Sequence, residues 1–444
     1  MHQTRQSNTV TVKKRSNAEE QLLAVGLSLT IICSSAAPGV TAQGPLAVPS
    51  NSTVAAVQDK QDLTFTQWIN LFRSEALSKG ISASTFDQAF VGVSLNQLVL
   101  EASERQPEIE RQIWTYLDLA VSENRINRGH ELLTQHRSLL QDMQRIYNVQ
   151  PEYLVAIWGL ESNFGSKMGS FDIVEGLATI AYRGRRKDYA KKELMATLKI
   201  LENGYARRPQ LRGSWAGAVG QMQFIPSSYL EYAVDHDGDG RRDIWNNLGD
   251  VFASTANYLA KWIWQSGQGW GREIVLPADF DYSLADMTIV KSVAEWLALG
   301  VRTAVGSSLV DDKHQIASII VPGGYQGPTF LTYQNFSTIL RYNNSPAYAL
   351  AVGHLADRMK GGPAIKGTWP VHIPPLPRFD REDLQRRLIK LGYDPGTVDG
   401  LVGSRTRAAL RRYQKNIGVP ADGFPTQELL GRLRQETVNR SRTR

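Results

Sequence analysis

The sequence predicts a mainly α-helical protein with small β elements and a separate helical module at its C-terminus. Apolar residues recur at three- and four-residue spacing along most of the chain, whereas the best strand-like segments are residues 273–276 and 318–321. A Pro- and Gly-rich stretch at 361–377 divides the two parts as a stiff, extended linker. With 444 residues, 42% hydrophobic and 21% charged, the composition is globular and excludes collagen-like, coiled-coil and wholly disordered chains.

The N-terminus has the pattern of a secretory signal. Basic residues at 13–15 precede an apolar stretch at 22–32, and small residues follow up to Ala42. We therefore expect a signal peptide over 1–42 that is cleaved on export; a short buried helix of a cytosolic protein is the alternative. The single cysteine, Cys33, lies inside this segment, and the bulky residues before it argue against a lipid anchor. The mature chain would then have no cysteine for disulfides or metal sites.

The large N-terminal part begins after a small, polar leader at 43–61, which we expect to be flexible. The first helical stripe contains Phe65, Trp68 and Phe72. We assign residues 62–360, from this stripe to the linker, to one domain. The same spacing predicts further helices at 113–119, 132–146, 153–160, 191–201, 251–264 and 348–359.

The C-terminal part is a small basic module. From residue 376 onward it has 15 Lys and Arg against 8 Asp and Glu, a net charge of +7, whereas residues 43–375 carry −2. Three helices are predicted within 378–436, followed by a basic tail at 437–444. Asp399-Gly400 and Asp422-Gly423 each lead into a helix, as in a duplicated half-motif. Such a module suggests docking to an anionic partner. Export argues against nucleic acid, and a tail that only aids solubility is the alternative.

The strongest chemical signal is the segment PEYLVAIWGLESNFG at 151–165. Leu154, Ile157 and Glu161 are three and four residues apart, so the carboxyl group lies on the apolar stripe of a helix. We expect desolvation and the nearby helix C-terminus to raise the pKa of this acid, as a general acid for glycosidic cleavage requires. A helix-end Glu paired with an Arg is the structural alternative.

A second segment, GSWAGAVGQMQFIPSSY at 213–229, combines a Gly-rich turn with aromatic and amide side chains. Trp215 and Phe224 offer stacking faces, and Gln221 and Gln223 offer hydrogen-bonding groups, as a sugar-binding cleft requires. Taken alone, the segment is better explained as a packed Gly-rich loop.

A third segment, DHDGDGRRDIWNNLGD at 235–250, has the front half of a calcium-binding loop. Asp235, Asp237 and Asp239 stand at alternate positions before a glycine. Asn246 occupies the position of the usual closing Glu, so Asp250 would close a longer loop. A turn without a metal is the alternative.

A fourth segment, RYNNSPAY at 341–348, places Tyr342, Asn343 and Tyr348 ahead of an amphipathic helix, where they could line a saccharide groove. Taken alone, the segment is better explained as loop and core. No P-loop, GxGxxG, HExxH or GxSxG motif occurs in the chain. The seven histidines are scattered, which argues against a zinc peptidase or amidase.

Together these four segments resemble the lytic murein transglycosylases of the membrane-bound type B family, over about residues 65–360. The residues that carry the resemblance are Glu161-Ser162-Asn163-Phe164-Gly165, the 217–229 block, the Asp-rich loop before Asn257-Tyr258-Leu259, and Arg341-Tyr342-Asn343. The tail resembles a peptidoglycan-binding type 1 module through Leu384-Gln385, Leu391-Gly392-Tyr393, Asp399-Gly400, Thr406, Tyr413-Gln414 and Asp422-Gly423.

The resemblance implies a lysozyme-like helical catalytic domain followed by a three-helix peptidoglycan-binding module. It implies cleavage of the β-1,4 bond between N-acetylmuramic acid and N-acetylglucosamine, with Glu161 acting first as acid and then as base. The C6 hydroxyl of the muramic acid attacks C1, so a 1,6-anhydro end forms without water.

The resemblance also implies roles for individual residues and partners. The cleft residues matched by position are Ser214, Gln223, Tyr258, Tyr342, Asn343 and Tyr348, and the calcium ligands are Asp235, Asp237, Asp239 and Asp250. We expect no cofactor for the chemistry, a structural Ca²⁺, glycan strands of peptidoglycan as partner, and a monomer in the periplasm. Cell-wall synthesis or division complexes stay open as further partners.

Two other functions compete with this one. A hydrolytic muramidase would need a second carboxylate, for which Asp172 and Glu175 are the nearest acids that follow Glu161 in sequence. A non-catalytic peptidoglycan-binding protein would only hold glycan strands. It would have little use for a buried acid.

Overall fold

The computed structural model describes residues 63–105, 112–304, 309 and 314–442. The predicted signal peptide and most of the predicted leader lie outside these ranges. The helices are α1 (Phe65–Ser78), α2 (Ala83–Ala89), α3 (Gln97–Arg105), α4 (Ile113–Ala120), α5 (Glu123–Gln135), α6 (Arg137–Tyr147), α7 (Pro151–Ser162), α8 (Ile173–Arg183), α9 (Lys187–Glu202), α10 (Pro226–Tyr232), α11 (Leu248–Lys261), α12 (Val293–Ala298), α13 (Gln334–Tyr342), α14 (Pro346–Met359), α15 (Arg378–Lys390), α16 (Ser404–Asn416) and α17 (Gln427–Arg442). In the described part of the chain, no helix is both long and apolar enough to cross a lipid bilayer.

Helix α7 is the centre of the main hydrophobic core. Every residue from Tyr153 to Ser162 is buried, so this helix is covered on all sides rather than along one stripe. Pro151 occupies its first turn, where the missing backbone N–H costs no hydrogen bond. Helices α14, α5, α6 and α11 pack around it. The mainly helical class predicted from the sequence is confirmed.

The helix predicted over 132–146 is wrong in one respect, because two helices share that segment. His136 leaves helical geometry, with φ −105° and ψ 23°, and separates α5 from α6. Its ring lies 6.1 Å from Trp158 and 6.4 Å from Phe252, measured between centroids. Apolar spacing continues across the break, which is why periodicity alone does not reveal it.

The β structure is larger than the sequence predicts. Strands β1 (Phe171–Asp172) and β2 (Arg212–Gly213) form a short pair. Five other strands form an antiparallel sheet: β3 (Gly271–Val275), β4 (Lys291–Ser292), β5 (Arg302–Thr303), β6 (Ile316–Ile320) and β7 (Thr329–Thr332). Their order in the sheet is β4-β6-β7-β3-β5. Both segments predicted as strands lie in this sheet, at β3 and β6. Its own core surrounds the fully buried Trp296.

The predicted linker at 361–377 has no helix or strand, and it lies along the body of the protein. The backbone N–H groups of Lys366 and Gly367 donate to the Glu273 carboxylate at 2.8 and 2.6 Å. The Trp369 ring packs 6.0 Å from Trp114, which belongs to α4. The segment is therefore fixed to the sheet and to the helical core by its own contacts.

Helices α15, α16 and α17 form the C-terminal module around buried leucines of all three helices, including Leu384, Leu410 and Leu430. Helix α17 continues to Arg442, and Thr437 is only 6% exposed. The predicted basic tail at 437–444 thus begins as part of the third helix of the module.

Two titratable side chains on α14 respond to burial in opposite ways. Burial raises the pKa of Asp357 to about 6 and lowers the pKa of His354 to about 4. Asp357 accepts a hydrogen bond from the Trp270 indole N–H at 2.7 Å. Between pH 4 and 6 the folded protein keeps the Asp357 proton and excludes a proton from His354. The unfolded chain does the reverse.

We expect the two effects to oppose each other in wild-type protein. The stability that Asp357 contributes is complete below about pH 4 and is lost as pH rises through 6. The contribution of His354 is complete above about pH 6.5 and is lost as pH falls toward 4. Asp357→Asn should therefore lose on the order of 2 kcal/mol more unfolding free energy than wild type when pH falls from 6.5 to 4. His354→Leu should show the opposite difference. Identical pH slopes in urea unfolding for all three proteins would contradict this account.

Candidate active site

Glu161 is a buried carboxyl group at the C-terminal end of α7, and its exposed fraction is 4%. The Tyr348 hydroxyl, from the first turn of α14, donates to Glu161 Oε1 at 2.6 Å. Tyr348 itself is 1% exposed. A hydrogen bond of this length between a phenol and a carboxyl oxygen fixes the orientation of the acid in a water-poor environment.

Three tyrosines interact electrostatically with Glu161. Burial raises the pKa values of the Tyr116, Tyr342 and Tyr348 phenols well above their ordinary value, and the negative charge of Glu161 raises each pKa further. These phenols therefore stay neutral and can act only as hydrogen-bond donors or acceptors around the acid.

The chain turns sharply directly after Glu161. Asn163, Phe164 and Gly165 have φ values of 49°, 59° and 80°, a run of three left-handed residues. Ser162 Oγ accepts the Gly165 N–H at 2.8 Å and stabilises the turn. A Cβ on Gly165 would lie 2.4 Å from Gln221 Oε1, so only glycine fits this approach. Backbone geometry thus explains Ser162, Asn163 and Gly165 in the sequence after the acid.

The Gly-rich segment at 213–229 packs against the end of α7. Gln221 accepts from the Trp158 indole N–H at 2.8 Å and donates to the Trp245 carbonyl at 2.8 Å. Ser214 is buried, and its hydroxyl accepts the Ala218 N–H at 2.9 Å. In the structure Ser214 therefore holds the turn together.

Gln223 has a strained backbone and a fixed side chain. Its φ is 50°, and its Nε2 donates to the carbonyls of Met168 and Gly220 at 3.0 and 2.9 Å. Both amide hydrogens are therefore used within the described chain, which leaves Oε1 as the group that can accept from a ligand.

Aromatic rings from three elements pack together next to the acid. Tyr258 on α11 contacts Tyr342 edge-on at 5.0 Å between centroids, and Phe224 lies 6.0 and 5.9 Å from these two rings. The Tyr258 hydroxyl donates to the Arg341 carbonyl and the Tyr342 hydroxyl to the Met222 carbonyl, both at 2.6 Å.

Asn343, which follows α13, is 5% exposed, and its N–H bonds to the Ile339 carbonyl at 3.0 Å. The structure thus brings residues of the first, second and fourth segments together with Tyr258. Tyr116 on α4 was missed, because its helix shows only an apolar stripe that resembles any other core helix.

The Asp-rich loop gathers three carboxylates. Oxygens of Asp235, Asp237 and Asp250 lie within 4.8 Å of one another. Asp250 is fully buried, and burial raises the pKa of its carboxyl group. Among the described residues the cluster does not include Asp239, whose Oδ1 accepts the Arg241 N–H at 2.8 Å. Three close carboxylate oxygens are a donor set that suits a hard divalent cation such as Ca²⁺.

Comparison with known proteins gives the family. The transglycosylase SLT domain matches residues 64–357, about two thirds of the chain. The chain belongs to this family of lytic transglycosylases. A peptidoglycan binding domain matches residues 379–433, within the C-terminal module.

Named relatives agree with this family. The membrane-bound lytic murein transglycosylase B of Escherichia coli is 33% identical over 248 residues, which are 53% of this chain and 64% of that protein. The match therefore spans less than two thirds of that relative's own length. SltB3 from Pseudomonas aeruginosa, solved in complex with NAG-anhNAM-pentapeptide, is 50% identical with a TM-score of 0.80. That match covers 84% of this chain and 99% of SltB3. Slt35 from Escherichia coli, solved in complex with calcium, is 28% identical with a TM-score of 0.57. It covers 66% of this chain and 92% of Slt35.

The hydrogen bond from Tyr348 generates a testable difference between two tyrosines of this family member. Tyr348→Phe removes the donor to Glu161, so we expect kcat on purified sacculi to fall about tenfold with KM within about twofold. Tyr342→Phe is the matched control, because its hydroxyl is bound to a backbone carbonyl instead, and its kcat should fall less than threefold. Equal losses of kcat in the two variants would contradict a particular role of the Tyr348 hydrogen bond to Glu161 in catalysis.

Proposed function

We propose that this protein cleaves the β-1,4 bond between N-acetylmuramic acid and N-acetylglucosamine with Glu161 as its single catalytic acid and base. The observation that carries the proposal is the burial of Glu161 together with its hydrogen bond from Tyr348. Burial disfavours the charged form of a carboxyl group, which suits a group that must give a proton to the leaving oxygen.

In the first step, Glu161 protonates the glycosidic oxygen as the bond from that oxygen to the muramic C1 breaks. The resulting carboxylate then removes the proton from the muramic C6 hydroxyl, whose oxygen forms a bond to C1. Glu161 regains its proton, the leaving strand ends in a free N-acetylglucosamine hydroxyl, and no water is consumed. The Tyr348 hydroxyl donates to the carboxylate between the two proton transfers and stabilises its charge.

The remaining cleft residues are proposed to bind sugar. Gln223 offers Oε1 to a hydroxyl or an N-acetyl N–H, since its amide hydrogens bind two carbonyls. The rings of Tyr258 and Tyr342 supply apolar faces beside the acid. Ser214 holds its own turn through the Ala218 N–H, and Asn343 directly follows Tyr342 at the end of α13.

The hydrolytic alternative finds little support at Asp172 and Glu175, the two acids that follow Glu161 most closely in sequence. Asp172 caps α8 through the Glu175 N–H and pairs with Arg208 at 2.6 Å. Glu175 accepts from Ser94 and Asn96 at 3.0 and 2.9 Å. Both carboxylates are already used to join elements of the fold, which disfavours them as the second group of a hydrolase. A purely binding role would leave the cost of burying Glu161 unexplained.

We also propose that the C-terminal module binds peptidoglycan and that the protein acts in the periplasm as a monomer. Support for the module is its match to a peptidoglycan binding domain and its basic charge. Support for the location is the signal-like pattern at 1–42 and the kind of polymer on which the relatives act.

A calcium ion is proposed for the loop at 235–250. Asp235, Asp237 and Asp250 would hold it, and Slt35 has been solved with calcium. The ion would supply positive charge that offsets the repulsion of three carboxylates and the burial of Asp250. Its role would be structural, with no part in the proton transfers.

Product analysis tests the catalytic proposal. Purified sacculi digested with wild-type protein should release products with 1,6-anhydro ends, each one water lighter than the reducing form by mass spectrometry. Glu161→Gln should release less than about one-thousandth as much product, because the amide cannot exchange the proton. Its melting temperature and circular dichroism should match wild type. Substantial activity in the folded Gln variant would remove Glu161 from the mechanism.

Thermal melting tests the metal proposal. Millimolar Ca²⁺ should raise the melting temperature relative to EDTA by several degrees, since an ion that binds only the folded state stabilises it. Asp237→Asn should lose most of this increment, whereas Asp239→Asn should retain it, because Asp239 lies outside the cluster. Equal increments in both variants, or none in wild type, would contradict the assignment.

A further inference from the structure

The C-terminal module contains the same hydrogen-bonded turn twice. In the first turn Gln385 Nε2 donates to Asp399 Oδ1 at 3.2 Å, and Gln385 Oε1 accepts the Gly400 N–H at 2.9 Å. The Leu401 N–H donates to Asp399 Oδ1 at 2.8 Å, and Gly400 has a φ of 74°.

The second turn repeats each of these bonds. Gln414 Nε2 donates to Asp422 Oδ1 at 2.6 Å, and Gln414 Oε1 accepts the Gly423 N–H at 2.7 Å. The Phe424 N–H donates to Asp422 Oδ1 at 2.8 Å, and Gly423 has a φ of 70°. The two turns are therefore equivalent atom for atom at their Gln, Asp and Gly residues.

The second turn is occupied by a peptide segment of the same chain. Asp422 Oδ2, the oxygen not used within the turn, accepts the Tyr325 N–H at 2.9 Å. A Cβ on Gly324 would lie 2.9 Å from that oxygen and 3.0 Å from Phe424, so the approaching backbone must be small. Asp422 and Phe424 are 4% and 7% exposed as a result. The turn thus binds a Gly-rich backbone through one N–H and an apolar contact.

The first turn presents the same groups without such a segment. Asp399 and Leu401 are half-buried, and within the described chain Asp399 Oδ2 accepts no hydrogen bond. Arg411 lies three residues before Gln414 of the second turn and pairs with Asp286 of the body. Glu382 occupies the equivalent position before Gln385 of the first turn. The first turn therefore cannot dock on the same acidic partner and is open to another peptide.

We propose that the Asp399-Gly400-Leu401 turn is a binding subsite for the stem peptides of peptidoglycan. Asp399 Oδ2 accepts a backbone N–H of the peptide and Leu401 contacts a small side chain, as Asp422 and Phe424 do for residues 324–325. A stem peptide supplies the backbone N–H groups that such a turn binds, and SltB3 is solved with a muropeptide that carries one. The inference rests on the proposed role of the module and names the part of peptidoglycan that it recognises.

The test uses the full chain with Glu161→Gln, so that substrate is not cleaved, and free pentapeptide stem without sugar as the probe. In calorimetry, adding Asp399→Asn should weaken pentapeptide binding at least about tenfold, because an amide N–H₂ replaces the acceptor. Adding Asp422→Asn at the equivalent, occupied turn should change affinity by less than about twofold. Amide resonances of residues 399–402 should shift on titration of the chain without either turn substitution.

Unchanged affinity in the folded Asp399→Asn protein, shifts confined to the catalytic domain, or no pentapeptide binding would each overturn the subsite. Sedimentation with sacculi distinguishes a failure of the subsite from a failure of the proposed function. If the Glu161→Gln chain sediments with sacculi while the pentapeptide results fail, only the subsite is wrong. If it does not sediment, the proposed role of the module is wrong as well.

Discussion

A single carboxyl group held away from water is the constraint on which the rest of the catalytic domain depends. Glu161 can be tolerated inside the core only because phenols and backbone turns from other elements surround it. Those neighbours come from α4, which precedes α7 in the sequence, and from α13 and α14, which follow it. The fully buried α7 and the left-handed turn after it are what hold the acid at their meeting point.

The C-terminal module is attached to the body by more than its linker. The segment at 361–377 binds the sheet through Glu273, Arg411 pairs with Asp286, and Asp422 binds the backbone at Tyr325. The five-stranded sheet and the loops between its strands thus make the contacts that hold the module. A peptidoglycan-binding unit fixed in this way would hold polymer at a defined position relative to Glu161.

The parts of the structure whose signal is local can be predicted from the sequence. A Glu on an apolar stripe, alternating Asp residues and two Asp-Gly turns can each be recognised within about fifteen residues, and the structure shows the physical reason for each. The features that the sequence does not predict depend on tertiary contacts. The two-residue strands gain their pairing only from neighbours, the break at His136 interrupts no apolar pattern, and Tyr116 differs from other core residues only because Glu161 lies near it. The place of Asp239 outside the acid cluster was equally invisible.

The central claim is that one acid and the sugar's own hydroxyl suffice, so the most direct test follows the oxygen at C1. Sacculi should be digested with wild-type protein in water enriched in heavy oxygen, and the released muropeptides analysed by mass spectrometry. The account predicts that no heavy oxygen enters the products, because the C6 oxygen attacks C1. One heavy oxygen for each bond cleaved would mean that water is the nucleophile and would contradict it.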